Sequence, residues 1–366
     1  MVTPHLPPHQ AANALLPHLL GQGLREREHR VRFLTFGNGP DSDEVRFVRR
    51  GSKRLRHTRL PQAWEALSTW RKGAPLVREA DVVHVHSNTW MNQVAAGLAA
   101  RHKRPYLLTH YGTEIWHHDG HDRAFRRMNA RARHVTFYSQ ALLDRARELQ
   151  VPLPAASVVY PPVADAFRPR SMAEREIVRR RFLPDGKGAL LLNVKRLHPL
   201  ADHATLLAAM AKLIHERPDA RLLIAGSGET EGALKRQAAS LGLGQAVRFL
   251  GLVPNAELAP LQAAADVFVL SSLLEATPTV ALEALAAGTP VVSTDNPGGH
   301  ELRSLFGDDV AVVPRQDPAA LAASVLSLLG AARRTREASA RVIAERFRLP
   351  GVVAAYLDLY TEAARA

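Results

Sequence analysis

The sequence predicts an α/β protein of two tandem doubly wound domains, and three observations carry that expectation. At 366 residues the chain is longer than one hydrophobic core ordinarily serves. From His29 onward, short β-branched runs alternate with longer amphipathic ones, the rhythm of βαβ units around a parallel sheet. That rhythm breaks once, at "YPPVADAFRPR", and then restarts.

In the first half, strands are expected at 31–36, 82–85, 106–109, 135–138 and 158–160. Helical patterns fall at 11–20, 64–76, 90–101, 123–133 and 141–149. The prolines between 161 and 169 place a boundary there, so the domains read 1–165 and 166–348. In the second half, strands are expected at 189–194, 221–225, 247–250, 267–270, 291–293 and 310–313. Helices at 205–216, 233–241, 257–264, 280–287 and 318–329 fill the gaps. The amphipathic segment 349–366 is expected to pack back on the first domain. Ligands of such domains bind outside the carboxyl ends of the strands, and a crevice between two sheets is the natural place.

Composition narrows the class. Hydrophobic residues make up 46% of the chain in runs broken by turns, as in globular proteins. No apolar run approaches the roughly 18 residues that span a bilayer, and "MVTPHLPPHQ" lacks the order of a signal peptide. Without cysteine there is no disulfide framework and no thiolate metal site. The expected location is cytoplasmic, with peripheral contact at the inner face of a membrane. Charge is uneven: residues 1–165 carry 24 Lys and Arg against 14 Asp and Glu, a balance of +10 out of a total of +13. A basic half attracts nucleic acid, anionic lipid or an acidic small molecule. No zinc-finger spacing, RNP-like aromatic pair or basic-plus-heptad pattern supports nucleic acid. An anionic acceptor or membrane surface stays open beside plain solvated surface.

The stretch "SSLLEATPTVALEALAAGTPVVSTD" carries the chemistry. Glu275 lies on the loop after a strand, and Pro278 opens a helix where its missing N–H costs nothing. Thr277 or Thr279 is expected to cap that helix, Gly288 to end it, and the alanines to let it lie close to the sheet. Its tip presents free amides and partial positive charge at Pro278, Thr279 and Val280, which suits a phosphate. Glu283 and Glu275 are then placed to accept hydrogen bonds from polyols on either side, ribose on Glu283 and a transferred sugar on Glu275. Each such bond is worth roughly 1.5–3 kcal/mol. The plain alternative is a helix-stabilising Glu283 and a loop-capping Glu275.

Other loops leave the same sheet edge. "RLLIAGSGE" sets Gly226 and Gly228 directly after a strand, where backbone can approach a ligand closely. "LLNVKRLHPL" ends a strand on Lys195 and Arg196, and "STDNPGGHEL" adds Gly298, Gly299 and Glu301.

These residues resemble the retaining glycosyltransferases of family 4, nucleotide-sugar-dependent enzymes with the GT-B fold of two Rossmann-like domains facing a central cleft. The resemblance rests on "EATPTVALE" followed by "ALAAGTPVV", preceded in order by "LLNVKRLHPLADHATLLAAM", "DARLLIAGSG", "VRFLG" and "ADVFVLSS". It covers residues 189–313 well and the first half more loosely. It implies a donor-binding second domain and an acceptor-binding first domain. Glu283 then grips the ribose, Glu275 the donor sugar, Arg196 the diphosphate with the backbone at 278–280, and His110 of "LLTHYGTE" stands near the anomeric carbon. The donor is a nucleoside-diphosphate sugar, UDP first, no other cofactor or metal is required, and the acceptor is a hydroxyl. The lysine such enzymes carry five positions after the arginine is here Ala201, Lys195 stands where glycine is usual, and "HQAAN" replaces a glycine-rich loop.

The resemblance also implies retention without an enzymic nucleophile, so the glutamate pair is not an acid/base dyad. Metal binding by His84 with His86, or by His117, His118 and His121, is a minor alternative. A non-catalytic nucleotide-sugar- or membrane-binding protein, or another GT-B activity such as a phosphorylase or epimerase, also stays open. An oxidoreductase is disfavoured because no strand runs into G-x-G-x-x-G with a suitable acid.

Overall fold

The structure is a computed structural model and describes residues 1–7, 12–51, 60–116, 118, 120–183, 187–332 and 334–365. The chain forms two compact units, Met1–Pro162 with Leu349–Ala366, and Val163–Arg348. Each is a Rossmann-like parallel sheet flanked by helices.

The first unit holds β1 (Val2–Thr3), β2 (Phe33–Phe36), β3 (Val45–Val48), β4 (Val83–His86), β5 (Tyr106–His110), β6 (His134–Phe137) and β7 (Ala156–Val158). They pair in parallel in the order β3-β2-β1-β4-β5-β6-β7. The edge strand β3 was not expected, because "VRFV" is half exposed and alternates polar with apolar where the inner strands are apolar runs. The last strand sits two residues earlier than its apolar pattern, since the prolines at 161 and 162 offer no ladder N–H. The helix Leu349–Arg365 joins this unit. Its buried Val353 lies against Gly23, where an added Cβ would stand 2.6 Å from Val353 Cγ2.

The second unit holds β8 (Leu190–Val194), β9 (Arg221–Ala225), β10 (Val247–Gly251), β11 (Val267–Leu270), β12 (Val291–Thr294) and β13 (Val310–Val313). The order β10-β9-β8-β11-β12-β13 is parallel throughout. Helices on both faces keep the inner strands dry, which is why they read as unbroken apolar runs. Leu191, Leu222, Ile224, Val267 and Val269 pack with Leu207, Met210 and Leu321 in one core cluster, each buried side chain contributing about 1.5–3 kcal/mol. Three helices escaped the periodicity, Met172–Arg179, Pro297–Phe306, which "STDNPGGHEL" suggests as a loop, and Glu337–Arg346. The first does carry a start signal, a capping box of Ser171 and Glu174.

Strand order fixes where a site can form. From β8 the chain builds outward to β10, then crosses back so that β11 lies on the other side of β8. The exits of β8 and β11 therefore part at a topological switch point. Asn193, a polar residue inside an apolar strand, ties the two strands there. Its amide donates to Val269 O at 2.8 Å, which leaves Oδ1 to accept from His203 Nε2 at 2.9 Å. Burial and the nearby Lys195 charge lower the His203 pKa to about 4, so the ring is neutral. Beyond the strands, Ser271 Oγ donates to Ala201 O at 2.8 Å and Leu273 N to Leu200 O at 2.8 Å. The two exit loops are laced together before either reaches its charged residues.

Candidate functional site

Past β11 the loop runs to Pro278, which stands at the N-cap of helix Thr279–Ala286. The expected threonine cap is absent: no side chain caps this helix. Proline's fixed φ sets the entry, and the Pro278 carbonyl takes both the Ala281 and Leu282 amides, at 2.9 and 3.2 Å. The amides of Thr279 and Val280 come first in the helix and have no acceptor within it. Ala281 and Ala284 are fully buried, which lets the helix lie down on the sheet. Gly298, at the start of helix Pro297–Phe306, presses on the loop from the other side. Its amide donates to Glu275 O at 2.9 Å, and an added Cβ would lie 2.9 Å from both Glu275 Cβ and Pro278 Cδ.

The two glutamates stand in different electrostatic states. Glu275 is buried, and its Oε1 forms an ion pair with Lys195 Nζ. Glu283, about one helical turn inside the tip, has one weak partner among the described residues, the Gln262 amide at 3.4 Å. Desolvation pushes its pKa up to about 7, with the Gln262 amide opposing. At neutral pH this carboxyl lies close to half ionised and lacks the donors a carboxylate needs.

Lys195 and Arg196 diverge after β8. Lys195 turns to Glu275, while Arg196 is exposed and meets Glu229 at 3.3 Å. His198 Nε2 also reaches Glu229, at 3.4 Å. Ala201 is buried in a short 3-10 turn and presents no charge to this edge. The glycines after β9 have a reason inside the fold. A Cβ on Gly226, at φ +142°, would stand 2.0 Å from Lys195 O, and one on Gly228 would stand 2.1 Å from Leu197 O. They let the β9 exit cross the β8 exit in contact, with Leu197 N donating to Ser227 O at 3.1 Å. Their smallness thus seats Lys195 and Arg196 at the edge.

Residues 174–343 match the family described as Glycosyl transferases group 1, and residues 18–167 the family described as Glycosyltransferase Family 4. The glycogen synthase of Mycobacterium tuberculosis is 34% identical over 300 residues, covering 78% of this chain and 69% of that protein. This chain belongs to the GT-B glycosyltransferase superfamily. The D-inositol 3-phosphate glycosyltransferase of Thermobispora bispora is 35% identical over 237 residues, covering 60% of this superfamily member and 54% of that protein. The chain spans about half the length of such curated relatives. Among solved structures, a glycosyltransferase from Rickettsia africae superposes with a TM-score of 0.79 at 17% identity, covering 99% and 98% of the two chains. Anabaena HepE in complex with UDP gives 0.77 at 18% identity, covering 99% of each. These two likenesses concern the fold.

In the first unit of this GT-B chain, His110 ends β5 with no exposed surface. Its ring lies between Phe125 and Phe137, and Nε2 meets Asn129 Oδ1 at 2.9 Å. The Asn129 amide is committed to Phe125 O, so Nε2 carries the proton. Nδ1 has no hydrogen bond and stands 3.8 Å from Glu114 Oε1. His84 and His86 are buried with ring centroids 3.8 Å apart. His84 bonds Tyr360 at 2.6 Å and Thr109 at 2.7 Å, and His86 bonds Tyr111 at 2.7 Å. Burial holds both well below the usual histidine pKa. Among the described residues no three His, Asp or Glu gather as a metal would need. His117 lies outside the described residues, as do three of the five residues of "HQAAN". A cavity of about 830 Å³ in this unit, lined by Met1, Val31, Val83 and Tyr360, opens at the amino ends of its strands, away from His110.

Sequence reasoning missed Gln262, Asn193, His203 and Glu229. A lone polar residue inside "LLNV" and inside the alanine-rich "LAPLQAAA" was the available signal for the first two. It missed Arg334 as well, which donates to Ala263 O, Ala265 O and Ala287 O at 2.7–3.0 Å and so ties together the ends of the helices that carry Gln262 and Glu283.

Proposed function

We propose that the chain is a retaining glycosyltransferase of family 4, moving a hexosyl group from a nucleoside-diphosphate sugar, UDP first, to a hydroxyl acceptor. The observation that carries this is Glu283: a desolvated carboxyl with one weak partner, placed beside an uncapped helix tip at a switch point. A ribose supplies two vicinal hydroxyl donors, and they favour the ionised form that burial disfavours. The diphosphate lies on the Thr279 and Val280 amides. Glu275 accepts from the donor sugar once Lys195 turns from it to the diphosphate, which gives Lys195 the role of the lysine replaced by Ala201. Arg196 leaves the exposed Glu229 for the β-phosphate at little cost, since surface pairs are weak.

Chemistry follows from that placement. The bond from the anomeric carbon to the β-phosphate oxygen breaks while the acceptor oxygen bonds that carbon on the same face. The acceptor's proton passes to the departing phosphate oxygen. Charge grows on that phosphate, where Arg196, Lys195 and the helix amides oppose it. His110, enclosed by protein, serves as a positioning residue: it stands beside Glu114, whose carboxylate holds the Tyr111 amide at 2.8 Å after β5. The test is calorimetry with UDP-, GDP- and ADP-sugars, then NMR of the glycoside made. Tight binding of one donor and a product with the donor's anomeric configuration support the reading; inversion overturns the retaining assignment. A second reading, donor binding without turnover, draws on Ala201, and donor affinity without product would select it.

A further inference from the structure

One surface of the first unit has no place in donor chemistry. The helix Leu60–Glu79 buries Gly73, Ala74 and Val77, with Gly73 against Leu34 and the Leu98 side chain of helix Trp90–Arg101. Its opposite face exposes Trp64 (56%) and Leu67 (59%), while Trp70 (51%), three and four positions before Gly73 and Ala74, is exposed on the buried side's flank. Trp90, at the start of the next helix, is 50% exposed. Both helices run back from the carboxyl ends of parallel strands, so their amino-terminal turns share one end of the unit. Trp64 and Trp90 therefore share that end in contact with solvent. A chain gains nothing in stability by leaving rings that size wet.

The same end is strongly cationic. Arg71 shares the exposed stripe with Trp64 and Leu67, at helical spacings of three and four. Arg49 and Arg50 leave the carboxyl end of β3 exposed. They are held beside the tryptophans, because the Gly51 amide donates to Glu65 Oε1 at 2.9 Å. The acid beside them is that same Glu65. Its carboxylate is occupied by the loop amide.

We infer that this face is a docking surface for an anionic lipid bilayer, with Trp64, Leu67 and Trp90 entering the interface and the arginines meeting headgroup phosphates. Tryptophan suits that boundary because its ring is apolar and its N–H needs a wet partner. Charge selects among occupants. A second copy would bring an equally basic face and be repelled, whereas an anionic membrane attracts it. A saccharide needs polar partners around a flat ring, and the exposed Leu67 beside Trp64 supplies none. The inference does not depend on the donor assignment.

Vesicle co-sedimentation with tryptophan fluorescence tests it. The full chain should bind vesicles of equal phosphatidylglycerol and phosphatidylcholine, with a blue-shifted emission, and release in high salt. Removing Arg49, Arg50 or Arg71 as alanine should weaken partitioning about fivefold per charge. The triple change Trp64→Ala, Leu67→Ala, Trp90→Ala touches only exposed side chains and should lower partitioning at least tenfold, with nucleotide-sugar affinity unchanged. Equal binding to phosphatidylcholine alone, or unaltered partitioning of the triple variant, would overturn the inference. So would self-association in ultracentrifugation that the triple change abolishes, which assigns the face to a second copy. Donor affinity is read separately, so losing either result leaves the other standing.

Discussion

Two glutamates of this molecule follow strand exits and enter helices, and they fare oppositely. In the first unit, the Glu114 side chain is about one-tenth exposed, and desolvation alone would raise its pKa. The His110 imidazole and the Tyr111 amide outweigh that and hold it below the usual range. In the second unit, Glu283 has only the long Gln262 contact, and desolvation wins. Among the neighbouring histidines of the first unit, His84 has both nitrogens bonded, while desolvation holds it and His86 neutral. Glu114, a carboxylate that serves the fold, is satisfied by the fold. One held at a cost, beside free helix amides, points outward to a ligand.

That contrast breaks most directly at Glu283. Glu283→Ala should weaken nucleotide-sugar binding about a hundredfold by calorimetry, two charge-assisted bonds at roughly 1.5–3 kcal/mol each being lost with some compensation by water. Glu114→Ala should leave that affinity within a few fold. Arg196→Ala should lower kcat about thirtyfold with little change in donor Kd, as expected for a group that meets charge arising in the transition state. An equal rise in Kd would make Arg196 a ground-state binder instead.

Stability against pH sharpens the same comparison. A Glu283 pKa of about 7, above the ordinary 4.5, means the folded state holds its proton longer than the unfolded chain. The resulting stability is complete below about pH 4.5 and is lost as pH rises through 7, about 3 kcal/mol in all. Glu283→Gln should therefore stabilise the unliganded protein by about that amount at pH 8 and by little at pH 4.5, in urea unfolding. His84 and His86 act in the other direction. Their pKa values are depressed, so their contribution is present above the ordinary histidine value of 6.5 and is lost on acidification. Each adds up to about 1.4 kcal/mol per pH unit below that point. The smallest effect belongs to Gln262→Met, which should weaken donor binding less than about fivefold, because its bond to Glu283 is long.

Strand alternation was enough to read both sheets, since buried parallel strands are unbroken apolar runs and the helices between them repeat at their own period. The half-exposed β3 lacks that signature, and capping boxes such as Ser171 with Glu174 were needed to find the shorter helices. At the site, the glutamates, the helix tip and the basic pair were legible as residue types at strand exits. Direction was not. Adjacent Lys195 and Arg196 face different carboxylates, a result of backbone crossing at Gly226 and Gly228 that no spacing rule encodes. Nor does sequence reveal that Glu283 lacks partners, which depends on the helix carrying Gln262, some twenty positions earlier.

The most direct measurement is a crystal structure with the nucleotide sugar that binds best. The account predicts the diphosphate on the Thr279 and Val280 amides, ribose hydroxyls on Glu283, and Lys195 turned from Glu275 to phosphate. A diphosphate bound elsewhere, with Glu283 still facing only Gln262, would contradict it.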